Sequence, residues 1–249
     1  MDKIALIADI HGNMPAFDAV LGDIRKRGIE RIFCLGDLVG KGPHSDRAVD
    51  ICREECEITI KGNWDDVLNR DVDMPGVTWH KERLGRERLE YLKNLPDTHD
   101  FCFSGRKVRL FHASQIGVYH RVHLWSPDKD HMAMFTNTEF TGNTFEPDTV
   151  GYADIHMTYY KNMEGNVLFN VGSVGNPLDE PVAAYAIMEG NYGDTDTGYF
   201  SLNIIRLPYD IELAIKQARE EDMPELEPYA SELRTSVYRG IKPEQRRYK

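Results

Sequence analysis

Aspartate, histidine and asparagine recur in this chain at the ends of apolar runs. Ile4-Ala5-Leu6-Ile7-Ala8 leads into Asp9-Ile10-His11-Gly12-Asn13, Ile32-Phe33-Cys34-Leu35 into Gly36-Asp37, and Ile58-Thr59-Ile60 into Gly62-Asn63. Val108-Arg109-Leu110-Phe111 leads into His112, and Thr149-Val150-Gly151-Tyr152 into Asp154-Ile155-His156. Carboxylate, amide and imidazole groups suit hard or borderline divalent cations rather than thiolate zinc or iron–sulfur chemistry. Each motif is weak alone, because Gly-Asp and Gly-Asn are ordinary turn chemistry. Their shared setting gives them weight: each follows an apolar strand candidate, so five strands would deliver ligands to one place.

The intervening segments must position those ends. Residues 15–26 read as a helix, with Phe17, Val20, Leu21 and Ile24 on one face, Asn13 as N-cap and Gly28 as terminator. A strand at 31–35, a helix at 46–55 and a strand at 57–60 follow. That alternation argues for βαβ units and a parallel sheet, whose ligands bind beyond the carboxyl ends of the strands. The charged stretch 80–95 reads as helix, and 101–103 with 107–111 as a hairpin turning at Ser104-Gly105-Arg106. Residues 115–147 are irregular, with a short helix near 131–135, and are expected to form an insertion or lid over the site. Strands at 166–170, 183–188 and 199–206 and helices at 211–220 and 229–239 complete one domain over 1–249. The charged 242–249 tail is expected to be frayed and solvated.

Composition excludes several functions. Asp plus Glu is 41 against 30 for Lys plus Arg, a formal net charge of -11. Such a chain is a poor ligand for a nucleic-acid duplex, which is bound by neutralising phosphates. An anionic substrate remains accessible if metal ions supply local positive charge. Cys34 and Cys102 read as core residues, Cys52 and Cys56 sit four apart on a helix, and no CxxC motif is present. No apolar run is long enough to span a bilayer, and no basic segment followed by a long apolar stretch opens the chain. A reducing cytoplasm is the expected compartment.

The combined pattern resembles the calcineurin-like metallophosphoesterases. That family carries Asp-x-His, Gly-Asp, Gly-Asn-His-Asp/Glu, a lone His after a strand, and Gly-His-x-His. The matching stretches are Asp9-Ile10-His11, Gly36-Asp37, Gly62-Asn63-Trp64-Asp65, His112 and Ala153-Asp154-Ile155-His156. Asn170-Val171-Gly172-Ser173-Val174-Gly175-Asn176-Pro177 is similar to the stretch after the last motif in the small prokaryotic branch. The resemblance implies an α/β fold, a four-layer αββα sandwich of two mixed sheets flanked by helices, with two divalent metals at one edge. By the same resemblance, Asp9, His11 and His156 hold the first metal, Asp37 bridges, and Asn63, His112 and Asp154 hold the second. Manganese or iron is favoured over magnesium or zinc. Asp37 and Asn63 are the implied catalytic residues, and Asn63, Trp64 and His44 the candidate substrate contacts. The implied reaction is hydrolysis of a phosphomonoester or a phosphodiester/anhydride by metal-activated water, on a phosphorylated small molecule, nucleotide or phosphoprotein. No covalent phospho-enzyme is needed, so Ser114 and Ser173 are not nucleophiles.

Two departures stand out. Trp64 replaces an imidazole and has only an indole N–H donor. Losing general-acid help costs about 10²–10⁴-fold, which favours substrates with good leaving groups. Trp64 either stacks on a planar substrate group or packs as a core aromatic. Asp154 replaces a histidine: it either ligates and shifts preference toward Mn²⁺ or Mg²⁺, or points away and leaves the second position weak. The rival function is a degenerate member that keeps the fold as a metal-binding or scaffold module. His44 is otherwise an exposed loop residue, and His120, His123 and His131 are expected in solvent unless one replaces the missing imidazole.

Overall fold

The computed structural model describes residues 1–240, so the expected frayed tail at 242–249 lies outside the described residues. Along the chain run β1 (Asp2–Ile7), α1 (Met14–Lys26), β2 (Arg31–Cys34), α2 (Ser45–Glu55), β3 (Ile58–Thr59) and α3 (Asn63–Val67). They are followed by α4 (Pro75–Lys93), β4 (Thr98–Phe103), β5 (Arg106–Phe111), α5 (Asp128–Ala133), β6 (Thr149–Tyr152) and β7 (Thr158–Met163). The chain closes with β8 (Asn166–Val171), β9 (Ala183–Gly190), β10 (Ser201–Leu207), α6 (Ile211–Glu220) and α7 (Leu226–Thr235). One five-stranded sheet has the order β10-β9-β1-β2-β3 and the other β4-β5-β6-β8-β7. In the first, β1, β2 and β3 are parallel, and β9 and β10 are antiparallel additions. In the second, β5, β6 and β8 are parallel, with β4 and β7 antiparallel at the edges.

Period-two alternation explains why the sheets stack. Ile4, Leu6 and Ala8 face the layer between the sheets, with Phe33 and Leu35 beside them and Val108, Leu110 and Phe169 from the other sheet. Ala5 and Ile7 point the other way, into a core closed by Phe17, Val20 and Ile24 of α1 and Ala48 and Val49 of α2. A strand buried on both faces must be apolar throughout, which is why Ile4–Ala8 reads as a continuous run. The outer face of the second sheet, with Val150, Tyr152 and Leu168, is covered by Val122 and Met134 from the irregular 112–148 stretch. Arg109 anchors that stretch from inside: fully buried, it donates twice to Asp100 and also to Asn137 Oδ1 and Phe145 O.

The two mixed sheets with flanking helices match the expected architecture. Details differ for local reasons. Strand β7 escapes the sequence pattern because Tyr160 and Lys161 interrupt its apolar alternation; the Glu164-Gly165 turn, with both residues at positive φ, folds it onto β8. Helix α4 starts earlier than expected, at Pro75, and breaks at Gly85, where φ is 69° and ψ is 169°. Helix α7 stops at Thr235 because Ser236 turns left-handed (φ 53°), and Arg239 folds back onto Glu232. Cys102 is only partly buried, while Cys34 and Cys52 are core residues. Among the described residues, no helix is long and apolar enough to cross a membrane.

Candidate metal centre and substrate pocket

The parallel strands β1, β2 and β3 run in one direction, as do β5 and β6, so their carboxyl ends lie along one edge of the two sheets. Backbone hydrogen bonds lace the emerging loops together. Asp9 N–H donates to Gly36 O (2.9 Å), His11 N–H to Asp37 O (3.0 Å), and Ala153 N–H to His112 O (2.9 Å). Five candidate ligands pay for this convergence in backbone conformation: Asp9 (φ 52°), His11 (49°), Asp37 (55°), Asp154 (61°) and His156 (57°) are all left-handed. Each such residue costs roughly 1 kcal/mol or more, and strain of this kind concentrates where side chains must be aimed.

Asp9, His11, Asp37 and His156 are buried, and one ligand atom from each lies within 4.8 Å of all the others. His112 Nε2 completes the cluster, 3.5 Å from Asp37 Oδ1, 3.9 Å from Asp154 Oδ1 and 4.0 Å from Asp9 Oδ1. Asn63 opens α3 beside them, and its side-chain oxygen is buried without a partner. The structure therefore brings together all seven residues named as metal ligands. Of the named substrate contacts, Asn63 and Trp64 line the adjoining pocket. His44 does not: it caps α2, half-buried, with its N–H on Gly12 O.

The imidazoles share one arrangement. His11 Nδ1–H donates to Val39 O (2.8 Å), His112 Nδ1–H to Leu35 O (2.7 Å) and His156 Nδ1–H to Asn176 O (2.5 Å). A ring that donates from Nδ1 presents an Nε2 lone pair, and this fixing of tautomer is how metal-binding histidines are oriented. His11 Nε2 and His156 Nε2 are 3.3 Å apart. With both Nδ1 protons committed and both rings neutral, that approach sets two lone pairs facing each other, an arrangement that a cation bound by both would relieve. Burial lowers the proton affinity of both rings, keeping them neutral, with the nearby Lys41 charge adding to the effect. Burial likewise pushes Asp9 up to about 7 and Asp37 well above the usual carboxylate range. Both Asp9 oxygens and His112 Nε2 are buried with no hydrogen-bond partner. Buried polar atoms are nearly always satisfied, so unpaired acceptors aimed at one point fit a cation.

Three supporting residues carried no role in the sequence reading. Asp65 is fully buried and accepts from Asp37 N–H (2.8 Å), Gly62 N–H (2.9 Å) and Leu38 N–H (3.1 Å), fixing the Asp37 loop. The same loop needs glycine at 62, where a Cβ would fall 2.1 Å from Asp37 Oδ1. Asn176 accepts from His156 through its carbonyl and from Lys41 Nζ through its side chain (2.7 Å). Arg121, from the irregular segment, grips Asp154 with Nε on Oδ2 (2.7 Å) and Nη2 on Oδ1 (2.5 Å). Burial alone would raise Asp154, but the Arg121 hydrogen bonds and the neighbouring imidazoles hold it below the usual range. Only the paired side chain of Asp65, three residues from Gly62, had a sequence signal: an acidic residue at the third position of a helix.

Beside the cluster lies a cavity of about 520 Å³. Asp37, Asn63, Asp154 and His156 form its floor; Lys41, Trp64, Arg121, Trp125 and Tyr238 are among its walls. Trp64 packs edge-on to His11 and His80, against the core of α2 and α4, while one side faces the cavity. Gly40 (φ 83°) makes room for it: a Cβ there would meet the indole at 2.2 Å. Ser173 is structural, donating to Asp9 O and accepting from Asn176 N–H. His131 is not solvent-exposed as expected: it is fully buried, and Nε2–H donates to His123 O (2.9 Å) while Nδ1 accepts from Lys161.

A family model described as "Calcineurin-like phosphoesterase superfamily domain" matches residues 2–192. The chain is 31% identical over 235 residues to the uncharacterized protein MJ0912 of Methanocaldococcus jannaschii, which spans 89% of this chain and 94% of that protein. It is 25% identical over 138 residues to Phosphodiesterase YfcE of Escherichia coli, half of this chain and 71% of the relative. In fold it is similar to a metallophosphoesterase from Sphaerobacter thermophilus, with a TM-score of 0.75 at 23% identity over 95% of this chain and 99% of that one. Sequence match, sheet order and strand-end cluster agree, and the chain belongs to the calcineurin-like phosphoesterase superfamily.

Proposed function

We propose that this protein is a metal-dependent phosphoesterase that uses water to hydrolyse phosphomonoester or phosphodiester/anhydride bonds. The observation that carries the reading is the set of three imidazoles, each fixed through Nδ1 on a backbone carbonyl, whose Nε2 atoms turn toward the Asp9 carboxylate, neither oxygen of which has a hydrogen-bond partner. In this reading Asp9, His11, Asp37 and His156 hold one divalent cation, and Asp37, Asn63, His112 and Asp154 a second. The mixed carboxylate and imidazole set suits Mn²⁺ or Fe²⁺. When bound, a pair of such ions polarises a phosphoryl oxygen and lowers the pKa of a water.

The protein's own groups do the rest. Asp37 has two oxygens to share between the positions, and Asp65 prevents its loop from moving when it does. Asn63 presents an amide oxygen and faces the pocket. Trp64 donates no proton to a departing alkoxide, so the leaving group departs on its own acidity, which favours aryl esters and anhydrides, nucleotides among them. Residues 115–147 act as the pocket's cover through Arg121, His123 and Trp125.

The test is hydrolysis of aryl phosphate mono- and diesters by the Mn²⁺-loaded chain, compared with Asp37→Asn. The expected result is turnover that requires metal and is lost in the variant. Equal absence of metal-dependent turnover in both would instead support the scaffold reading.

A further inference from the structure

Four carboxylates surround the candidate centre: Asp9, Asp37, Asp65 and Asp154. An anionic substrate entering the cavity needs a counter-charge that these groups do not already consume. Arg239 is spent, with Nε and Nη2 on Glu232 and Nη1 on Glu225. Lys41 commits one of its three N–H groups to Asn176 Oδ1 beside His156, which leaves the others without a fixed direction. Arg121 combines a free donor with a fixed plane. Its Nε and Nη2 are committed to Asp154, whereas Nη1 has no hydrogen-bond partner among the described residues. Its side chain is 39% exposed and lines the cavity together with Asp37 and Asn63.

A guanidinium held by two bonds on one edge is fixed in plane and direction, so its free amino group is aimed without further loss of rotamer freedom. We propose that Arg121 is a substrate-binding residue whose Nη1 donates to a non-bridging oxygen of the substrate phosphoryl group, biasing the pocket toward dianionic phosphomonoesters over diesters. The bias follows from charge: a monoester carries roughly twice the charge of a diester at the same distance from the guanidinium. Asp154 is in this view a positioning residue for Arg121, whatever else it ligates. The inference rests on the phosphoesterase reading of the site.

The experiment titrates inorganic phosphate into the Mn²⁺-loaded full chain by calorimetry. It also measures metal content and steady-state kinetics on an aryl monoester and an aryl diester, for the parent, Arg121→Gln and Arg121→Lys. Loss of one charge-assisted hydrogen bond predicts phosphate affinity about tenfold weaker in Arg121→Gln and a monoester KM about tenfold higher. The diester KM and both kcat values should move less, metal content should stay at the parent level, and Arg121→Lys should recover part of the loss. Phosphate affinity within about twofold of the parent in Arg121→Gln overturns the proposal. So does an additional ion per chain in that variant, which would make the guanidinium a stand-in for a metal. A parent that binds phosphate through Arg121 but turns over neither ester contradicts the functional reading and leaves the Arg121 contact standing.

Discussion

The two halves of the candidate centre are built from similar residues and held in different ways. Asp9, His11, Asp37 and His156 are buried, at most 3% exposed, with only Asp37 and His156 reaching the cavity floor, and no arginine or lysine pairs with their carboxylates among the described residues. Asn63 and Asp154 line the cavity with His112 buried beside Asp154, and Asp154 gives both oxygens to Arg121. In the sealed half burial drives Asp9 and Asp37 toward their protonated forms, so a cation entering there must displace protons. The open half shares its charge with a side chain from an irregular segment that also lines the cavity. Preorganisation is concentrated in the first half and adjustability in the second.

That contrast can be broken by substitution. The largest effect is expected at Asp37, which serves both halves: Asp37→Asn should reduce metal-dependent ester hydrolysis by roughly 10³-fold or more, beyond the 10–100-fold typical when an outer residue is changed. Metal content and kcat on an aryl phosphate check it; a variant retaining parent activity would remove Asp37 from the centre. Next is the wall between the halves. Trp64→His restores an imidazole beside the leaving-group pocket and should raise kcat about 10²-fold on alkyl phosphates, with a smaller gain on aryl ones. Equal gains on both classes would show that proton donation is not what Trp64 lacks. Asp65→Ala frees the Asp37 and Leu38 N–H groups and should weaken metal affinity about 10–100-fold without removing a ligand. A competition titration with a chelator reads it, and unchanged affinity would mean that the loop holds itself.

The sealed half also has a pH signature. Burial pushes Asp9 up to about 7. Below that pH it holds a proton that a cation must displace, whereas His11 and His156 are already neutral because burial lowers them. Metal affinity should therefore rise with pH through the neutral range, up to about tenfold per unit for each proton displaced. Isothermal titration in buffers of different ionisation enthalpy counts the protons. A flat profile between about pH 5.5 and 8 would contradict the raised Asp9.

Much of this was legible in the sequence because strand ends are readable. Five apolar runs in series predict where Asp9, Asp37, Asn63, His112 and Asp154 emerge, and the observed sheets put those ends on one edge. What orients the side chains was not legible. The left-handed turns at Asp9, His11, Asp37, Asp154 and His156 leave no composition signal, since none of these residues is glycine. The carbonyl acceptors of the three imidazoles are backbone atoms, identical at every position. Arg121 sits 33 residues from Asp154, in the segment with the weakest periodicity, so nothing local linked the two. His131 looked exposed because its irregular neighbourhood hid the packing of α5 on the second sheet.

The most direct measurement is anomalous diffraction from crystals of the full chain soaked with Mn²⁺ and phosphate. The expected result is one peak among Asp9, His11, Asp37 and His156, a second bounded by Asp37, Asn63, His112 and Asp154, and phosphate density in the adjoining cavity. Peaks confined to surface carboxylates, with His11 and His156 still facing each other across an empty gap, would contradict it.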